Sequence, residues 1–455
     1  MKQTLSSRWQ ALIVRQYSIP EASALFMVAF LISAVLGIVR QALFNAQYGT
    51  GMEASAFIAA FRLPETLVNL IAGGTLSNAL IPVLAGVSRE DGPDAEWELA
   101  SLVLVTFLAL FTLAILIGMI FAPLFITRLL APGFDAPTSE LTIVLTRIML
   151  LEAILGLVTS VIMAVLNSRY QFTLSALSII VHNTTLITGI LLSRVFPQIG
   201  IYGAAVGVIG DGILQLLILL PGMRANRFRF TPRWNLADKR LREVIRLMVP
   251  NGLSGVVNYA GVIAETSYAS LVQEKATLSA IQNALLLIGL PVRLLGTAIG
   301  QAAFPRLAGI AAAKEWTRLR RTILVTFGIA IILAMPVIVF FITLGRPLVR
   351  LVFERGRFSA TDGDLTYTML AAYSIAIPAY IGTDMMTRGL TALRDTTTPL
   401  FTNIGQLVIR IGLISLLIVQ IGPVGIPIGF TISAYAETIT LALVLLFRLR
   451  QQERQ

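Results

Sequence analysis

The stretch at residues 22–46, ASALFMVAFLISAVLGIVRQALFNA, decides the class of fold. Arg40 is its single charged residue. A transmembrane helix needs about 20 consecutive and mainly apolar residues, which this stretch supplies. The segment ahead of it, residues 1–16, is polar and basic, and no cleavable signal peptide is visible. We therefore predict that residues 22–46 form a first membrane-spanning helix that stays attached to the protein.

The composition extends this prediction to the whole chain. Hydrophobic residues make up 56% and charged residues 13% of the 455 positions, whereas soluble domains carry about 25% charged residues. The chain is predicted to be an all-α polytopic membrane protein with about twelve transmembrane helices. The predicted spans are 22–46, 57–86, 99–126, 139–166, 173–194, 200–222, 244–271, 277–305, 322–345, 364–390, 399–420 and 424–447.

The longest hydrophilic segment, residues 223–243, divides the chain into six spans and six spans. We predict an N-terminal lobe at 1–222, a basic cytoplasmic linker at 223–243 and a C-terminal lobe at 244–455. The linker is either an amphipathic piece on anionic headgroups or a solvated loop. Similar motifs recur in the same order in both halves: Leu63-Pro64 with Leu290-Pro291, RLLAPGF (128–134) with RLVFERGRF (350–358), and Gly200 and Gly203 with Gly422 and Gly425. A duplicated unit with six crossings gives two parallel lobes, which suits alternating access.

Basic residues indicate the orientation. With the N-terminus inside, interior segments hold 21 lysines and arginines and exterior loops hold 7. This bias predicts a multi-pass protein of the cytoplasmic membrane with both termini in the cytoplasm. The net charge of +11 is better explained by these topology signals than by a nucleic-acid partner, because no aromatic and basic binding motif accompanies it.

Arginines within the spans are the candidates for substrate binding. A charge in the hydrocarbon core costs about 2.5–3.5 kcal/mol on insertion scales, so it usually faces a cavity or a partner. Arginines from both lobes around one cavity would suit a phosphate or diphosphate group, which guanidinium binds bidentately. The alternative is local pairing with carbonyls or carboxylates. The candidates are Arg40, Arg62, Arg147, Arg293 with Gln301 eight residues later, and Arg410.

Acidic residues within the spans are candidates for carrying a coupling proton or monovalent cation. Glu265 is the best of them, followed by Asp211 and Glu437; Glu152 and Asp384 also lie within spans. The alternative for each is a salt bridge between helices. The single histidine, His182, is predicted to be a hydrogen-bonded packing residue.

Enzyme motifs are absent from the sequence. It contains no P-loop, HExxH or GxSxG motif, and it has no cysteine. We predict no catalytic residue, no cofactor and no metal site, and we expect energy to come from an ion gradient, the membrane potential or the substrate gradient.

Seven stretches together resemble one known family. The chain resembles the MurJ (MviN) family of lipid II flippases, within the MOP superfamily that also holds the MATE exporters. The stretches run in family order from the first span to the eleventh. They are residues 33–67, GGTLSNALIPVLAG (73–86), LAPGF (130–134), residues 147–172, LPVRLLGTAIGQAAFPRLA (290–308), VFERGRFSATD (352–362) and TRGLTALRDTTTP (387–399).

The resemblance implies two lobes around a cationic cavity and the flipping of an undecaprenyl-linked peptidoglycan precursor. Arg40 matches the family's cavity arginine, Arg62 its basic residue before Leu-Pro, and Ser33 its serine of the first helix. Several charges of the family are replaced here, and Arg293 is the candidate substitute for the arginine expected at Leu286. The departures are Ala34, Gln41, Ser55, Val68, Asn69, Gly73, Leu285, Leu286 and Gly289.

Three functions are compatible with these observations. The leading hypothesis is a flippase for a polyprenyl-diphosphate-linked glycan, lipid II being the first choice. The second is an exporter of another lipid-linked glycan or of a small amphiphile, as in MATE transporters. The third is a scaffold for envelope synthesis that transports nothing.

Overall fold

The computed structural model describes residues 12–72, 75–272, 274–393 and 395–454. Its regular elements are helices. In chain order we number the α-helices α1 (Ile19–Tyr48), α2 (Met52–Ala72), α3 (Thr75–Glu90), α4 (Pro93–Phe125), α5 (Ala136–Ser168), α6 (Thr173–Val195), α7 (Tyr202–Ala225), α8 (Lys239–Leu271), α9 (Thr277–Val292), α10 (Ile299–Ala312), α11 (Trp316–Phe353), α12 (Ala360–Ser374), α13 (Ile377–Ala392), α14 (Thr397–Ile421) and α15 (Gly425–Arg454).

The helices account for the predicted spans. Nine stretches of the described chain are long and apolar enough to cross a membrane. One of them, Thr397–Glu453, contains both α14 and α15. Two more predicted spans coincide with α2 plus α3 and with α8, whose polar residues include Asn258 and Glu265. The predicted all-helical membrane class is confirmed, and these helices are compatible with about twelve crossings.

Large apolar side chains cover the outside of several helices. Met27 on α1, Ile120 on α4 and Ile332 on α11 are each about 70% exposed, at 71%, 69% and 70%. Exposed apolar surface on this scale is unfavourable in water but matches the acyl chains of a bilayer. These faces are therefore the lipid-contacting surface of the helices.

The chain divides into two compact units. Unit 1 comprises Met1–Gln47, Ala56–Arg128 and Asp135–Val256, and unit 2 comprises Tyr48–Ser55, Leu129–Phe134 and Val257–Gln455. The predicted lobe boundaries at 1–222, 223–243 and 244–455 stay a prediction.

In unit 1 the linker segment is attached to the helices. Phe228 packs edge-on against Trp97 of α4, with ring centroids 5.1 Å apart. The backbone N–H of Thr231 donates to Ser101 Oγ at 3.1 Å, and Arg233 pairs with Glu98 at 2.7 Å. Between α7 and α8 the segment is irregular and residues 229–237 are exposed, and whether it is a solvated loop or lies on headgroups stays a prediction.

In unit 2, the two short segments from the first half of the chain are held by polar contacts. Thr50 Oγ1 donates to Asp362 Oδ1 at 2.7 Å. Ser55 Oγ donates to the carbonyl of Lys275 at 3.0 Å, and the N–H of Gly133 donates to Ser270 Oγ at 3.1 Å. These hydrogen bonds give partners to polar groups at the turns of the chain, which would otherwise have none within the protein.

Two of the repeated sequence motifs have the same structural role in both halves. Gly200 after α6 and Gly422 after α14 each take a positive φ, 52° and 66°, at the turn into the next helix. The other motif precedes a capped helix. Asp135 accepts from Thr138 N at 3.1 Å at the start of α5, and Ser359 begins α12 with a capping box.

Candidate substrate and ion sites

Arg40 lies on α1 of unit 1 and is only partly exposed. Its charge interacts with the carboxylates of Glu65 and Asp211. Within the described part of the chain its guanidinium makes no hydrogen bond. A partly buried guanidinium with unused donors can bind an anionic group.

Arg62 lies on α2, two residues before Pro64, and is 8% exposed. Its Nη1 is 3.3 Å from Glu65 Oε2. Pro64 lacks the N–H that would bond to the carbonyl of Ala60. The hydroxyl of Thr146 on α5 lies 3.4 Å from that carbonyl, but it donates its one proton to the carbonyl of Thr142 at 2.8 Å. A polar group of α5 therefore faces the carbonyl that Pro64 leaves without its helical donor.

Ser33 joins α1 to α6. Its hydroxyl donates to the carbonyl of Ile179 at 3.1 Å and accepts from Asn183 Nδ2 at 2.9 Å. Its donor and one of its two acceptor sites are thus used within the protein, and its role in substrate binding stays a prediction.

The single histidine of the chain contacts a buried carboxylate. His182 Nδ1 on α6 is 2.6 Å from Asp211 Oδ2 on α7. Gln215 donates to the other oxygen of Asp211 at 2.8 Å. Asp211 is 2% exposed, whereas the His182 side chain is 40% exposed. A titratable group therefore connects this carboxylate with the molecular surface.

Glu152 on α5 lies close enough to Asp211 for the two carboxylates to interact electrostatically. It is 7% exposed. Its side chain makes no hydrogen bond or ion pair with any residue the structure describes. We call Glu152, His182 and Asp211 the histidine–acid cluster. The cluster is assembled from α5, α6 and α7 of unit 1.

Unit 2 contains a buried ion pair between α8 and α14. Arg410 contacts Glu265 through a charge-assisted hydrogen bond, and their side chains are 8% and 7% exposed. The hydroxyl of Tyr373 donates to Glu265 Oε1 at 3.3 Å. The guanidinium carbon lies 4.6 Å from the centre of the Phe430 ring. We call Arg410 and Glu265 the guanidinium–carboxylate pair.

Room for this pair depends on Gly261, one turn before Glu265 on α8. A Cβ at Gly261 would lie 2.3 Å from Arg410 Nη1, so the guanidinium rests on the bare backbone there. Arg410 Nε is buried and has no hydrogen-bond partner in the described residues. Close packing on a glycine and an aromatic ring thus fixes the cation beside its carboxylate.

The remaining candidates in the second half of the chain are Arg293, Gln301 and Glu437. Arg293 is exposed and begins a π-helical turn, Arg293–Ala298, that follows Pro291. The side chain of Gln301 lies outside the described residues. Glu437 on α15 is 8% exposed and lies beside the amide of Asn403.

Other predicted charges pair locally. Asp384 and Arg388 form a 2.7 Å ion pair one turn apart on α13. Arg147 on α5 donates to the carbonyl of Met119 at 3.0 Å. In the described part of the chain, no group of three histidine, cysteine or acidic side chains is positioned to hold a metal ion.

Sequence reasoning missed the partner of His182. It placed His182 and Asp211 in consecutive spans but predicted only a packing role for the histidine. A usable signal was the position of both residues near the middle of adjacent antiparallel spans joined by a short turn, since such spans lie side by side.

Comparison with known proteins agrees with this architecture. Residues 44–455 match the family described as "Lipid II flippase MurJ". A relative named "Lipid II flippase MurJ" from Burkholderia cenocepacia is 27% identical over 430 residues, covering 91% of this chain and 81% of its own. A "Probable lipid II flippase MurJ" from Rhizobium tropici is 24% identical over 421 residues, covering 91% and 78%.

Solved structures share the fold. The structure "Lipid II flippase MurJ, inward closed conformation" superposes with a TM-score of 0.80 at 22% identity, covering 92% of this chain and 87% of that one. An inward-facing multidrug resistance MATE family transporter of the MOP superfamily gives 0.79 at 15% identity, covering 94% and 99%. With the sequence match over most of its length, the chain belongs to the MurJ family of lipid II flippases, membrane transporters whose fold is shared with MATE exporters.

Proposed function

We propose that this protein flips lipid II, a polyprenyl-diphosphate-linked precursor of peptidoglycan, across the cytoplasmic membrane by alternating access. Family membership supports the substrate class. The observation that carries the proposal is Arg40, a guanidinium on a lipid-embedded helix without a hydrogen-bond partner among the described residues. A diphosphate offers the paired oxygens that guanidinium binds best.

Arg62 and Arg293 are the other proposed contacts to the diphosphate. Arg62 Nη1 forms an ion pair with Glu65 Oε2 at 3.3 Å. A substrate phosphate would therefore compete with that carboxylate for the guanidinium. Arg293 is exposed at its π-helical turn, and such turns occur frequently at functional sites. Ser33 and Gln301 are proposed as neutral hydrogen-bonding groups near the same headgroup.

Complementation of a bacterial strain depleted of its lipid II flippase tests this proposal. The wild-type chain is expected to restore growth, and Arg40→Ala, Arg62→Ala and Arg293→Ala are expected to abolish or strongly reduce it. Arg147→Ala is the matched control, because this helix arginine bonds to a backbone carbonyl. Failure of the wild-type chain to complement at normal membrane levels would contradict the proposal.

Both termini are proposed to lie in the cytoplasm, on the basis of the lysine and arginine distribution. The chain has no cysteine, so single cysteines can be introduced without background. A cysteine at Gln452 should react with a membrane-impermeant maleimide only after lysis of spheroplasts. A cysteine at Gln198 should react in intact spheroplasts, and the reverse pattern would refute the orientation.

Glu265, Asp211 and Glu437 are the proposed residues for ion coupling, with a monovalent cation or a proton as the ion. Glu265 already faces Arg410, so an ion there would compete with a guanidinium. Asp211 and Glu437 have no arginine within ion-pair distance among the described residues. Asp211 or Glu437 therefore fits an exchangeable ion better than Glu265 does.

Export of another lipid-linked glycan or of a small amphiphile is the second candidate. The inward-facing MATE transporter supports it, since the superposition covers 99% of that chain, and so do the replaced family charges at Ala34 and Gln41. Drug-efflux assays in a strain lacking its own exporters distinguish the two. Raised drug resistance without complementation of flippase depletion would favour export.

A further inference from the structure

We infer that the histidine–acid cluster of unit 1 is a proton-binding site, and that its proton is the ion exchanged during transport. The inference rests on the proposed function only for its second half. Proton binding itself follows from the residues of α5, α6 and α7 and is testable without any substrate.

Charge balance is the first argument. Four ionisable groups interact in and beside the cluster: one arginine, two carboxylates and one histidine. With the histidine neutral, the one positive charge leaves one negative charge uncompensated. One bound proton makes the group neutral. The four groups are Arg40, Glu152, Asp211 and His182, and Glu65 beside Arg40 has its own ion pair with Arg62.

The second argument is the state of Glu152. Its side chain is more than nine-tenths buried and bonds to no residue the structure describes. An ionised carboxylate without a partner is costly in an apolar interior, and neutralisation by a proton removes that cost. Asp211 adds like charge from α7. A like charge nearby makes protonation of one of the two carboxylates more favourable.

The third argument is access. The proton needs a path from the surface to carboxylates that are 7% and 2% exposed. In the proposed path His182 carries the proton, because its ring is 40% exposed and its Nδ1 lies 2.6 Å from Asp211. Imidazole accepts and releases protons between about pH 5 and 8. The proton binds to the imidazole, moves along the hydrogen bond to Asp211, and leaves by the reverse steps.

Electrostatics also connects the site to the substrate. Arg40 interacts with Asp211 and is the proposed contact for diphosphate. A proton on the cluster removes negative charge near Arg40 and leaves its guanidinium freer to bind an anion. Loss of the proton restores the competing carboxylate. Proton binding and substrate binding are thus coupled through a single side chain.

The sole histidine allows a direct test. Protein labelled with ¹⁵N-histidine, freed of any tag and placed in nanodiscs, gives one imidazole whose ¹⁵N shifts report its protonation. Followed from pH 5 to 8, these shifts should change with pH, and the midpoint of the change should move by at least about half a pH unit in Asp211→Asn and in Glu152→Gln. Glu140→Gln, an exposed acid on the same helix as Glu152, should leave it in place.

Two outcomes overturn proton binding. One is a wild-type imidazole that keeps a single protonation state across the range. The other is a midpoint that Asp211→Asn or Glu152→Gln leaves unchanged. The wild-type titration needs no variant, so a single protonation state there overturns proton binding even if a substitution prevents folding.

Flipping of synthetic fluorescent lipid II in proteoliposomes tests the coupling. We expect a gradient of one pH unit to change the wild-type rate several-fold. The ratio of rates with and without the gradient should fall to about one in Asp211→Asn and stay as in wild type in Glu140→Gln. A wild-type rate that ignores the gradient overturns the coupling. A wild-type protein that flips no lipid II refutes the proposed function instead, and the histidine titration still decides proton binding.

Discussion

The two units differ in the group that faces a buried carboxylate. In unit 2 a permanent cation, Arg410, faces Glu265, and a tyrosine and an aromatic ring complete the surroundings. In unit 1 a titratable imidazole faces Asp211, and Glu152 has no partner in the described residues. Arginine stays protonated at any physiological pH, whereas histidine does not. The first arrangement is fixed in charge and the second is variable.

The largest expected effect comes from breaking the fixed pair. Arg410→Ala should lower the free energy of unfolding by about 3–5 kcal/mol, because it leaves a buried carboxylate uncompensated. The measurement is thermal unfolding of purified protein in detergent. The double variant Arg410→Met with Glu265→Leu should recover most of the loss. A single variant as stable as wild type would show that Glu265 does not depend on its cation.

Removing the aromatic ring beneath the guanidinium should have a smaller effect. Phe430→Leu should cost about 2 kcal/mol, the usual size of a desolvated cation–π contact. Phe447→Leu is the control, because Phe447 lies on the same helix and is 60% exposed. Equal effects of the two substitutions would mean that the contact with Arg410 contributes nothing.

The comparison becomes sharper with one conservative change in each unit. Glu265→Gln leaves Arg410 buried without a counter-charge and should cost about 3–5 kcal/mol. Asp211→Asn keeps a hydrogen-bonding group beside a histidine that can be neutral, and should cost only about 1 kcal/mol. Unfolding of both variants under the same conditions checks this order. If Asp211→Asn lost more unfolding free energy than Glu265→Gln, the conclusion that the charge at Asp211 and His182 can change in the folded protein would be contradicted.

The smallest loss of unfolding free energy is expected for a substitution outside the membrane, at Asp238. It serves as a reference for the losses expected inside the membrane. The side-chain hydrogen bond from Arg240, helped by backbone N–H groups at the start of α8, lowers the pKa of Asp238. Its contribution is therefore full above the unfolded-state pKa of about 3.9 and is lost as pH falls through the folded-state pKa. Asp238→Asn should cost about 0.5 kcal/mol at neutral pH, after allowance for solvent screening. The difference from wild type should shrink in unfolding measured at pH 3 to 4, and a constant difference would argue against the ionised form.

Sequence patterns predicted the helices well because length and hydropathy are local properties. The first span was predicted at 22–46, and α1 runs over Ile19–Tyr48. The patterns did not show where a span changes its helical geometry. The span predicted at 277–305 consists of α9, a π-helical turn and α10. Proline and glycine indicated a bend there, but the change to π-helix depends on packing that a linear pattern does not contain.

The candidate sites were predicted less completely, for a physical reason. An ionised side chain is costly in free energy inside the bilayer. The sequence therefore identifies Glu265, Arg410 and Asp211 as residues that need a partner. Which partner each one meets depends on helix rotation and on gaps such as the one left by Gly261. The alternative of a salt bridge was therefore foreseen for Glu265 without its partner being known. His182 was interpreted alone and its acid was missed.

The proline in α2 leaves one carbonyl for a neighbouring helix to shelter from the bilayer. Pro64 cannot donate to the carbonyl of Ala60, and a carbonyl without a donor is costly in hydrocarbon. The hydroxyl of Thr146 on α5 lies 3.4 Å from that oxygen while it donates to Thr142 at 2.8 Å. Valine at position 146 would remove this polar neighbour and leave the site less favourable for the unbonded oxygen.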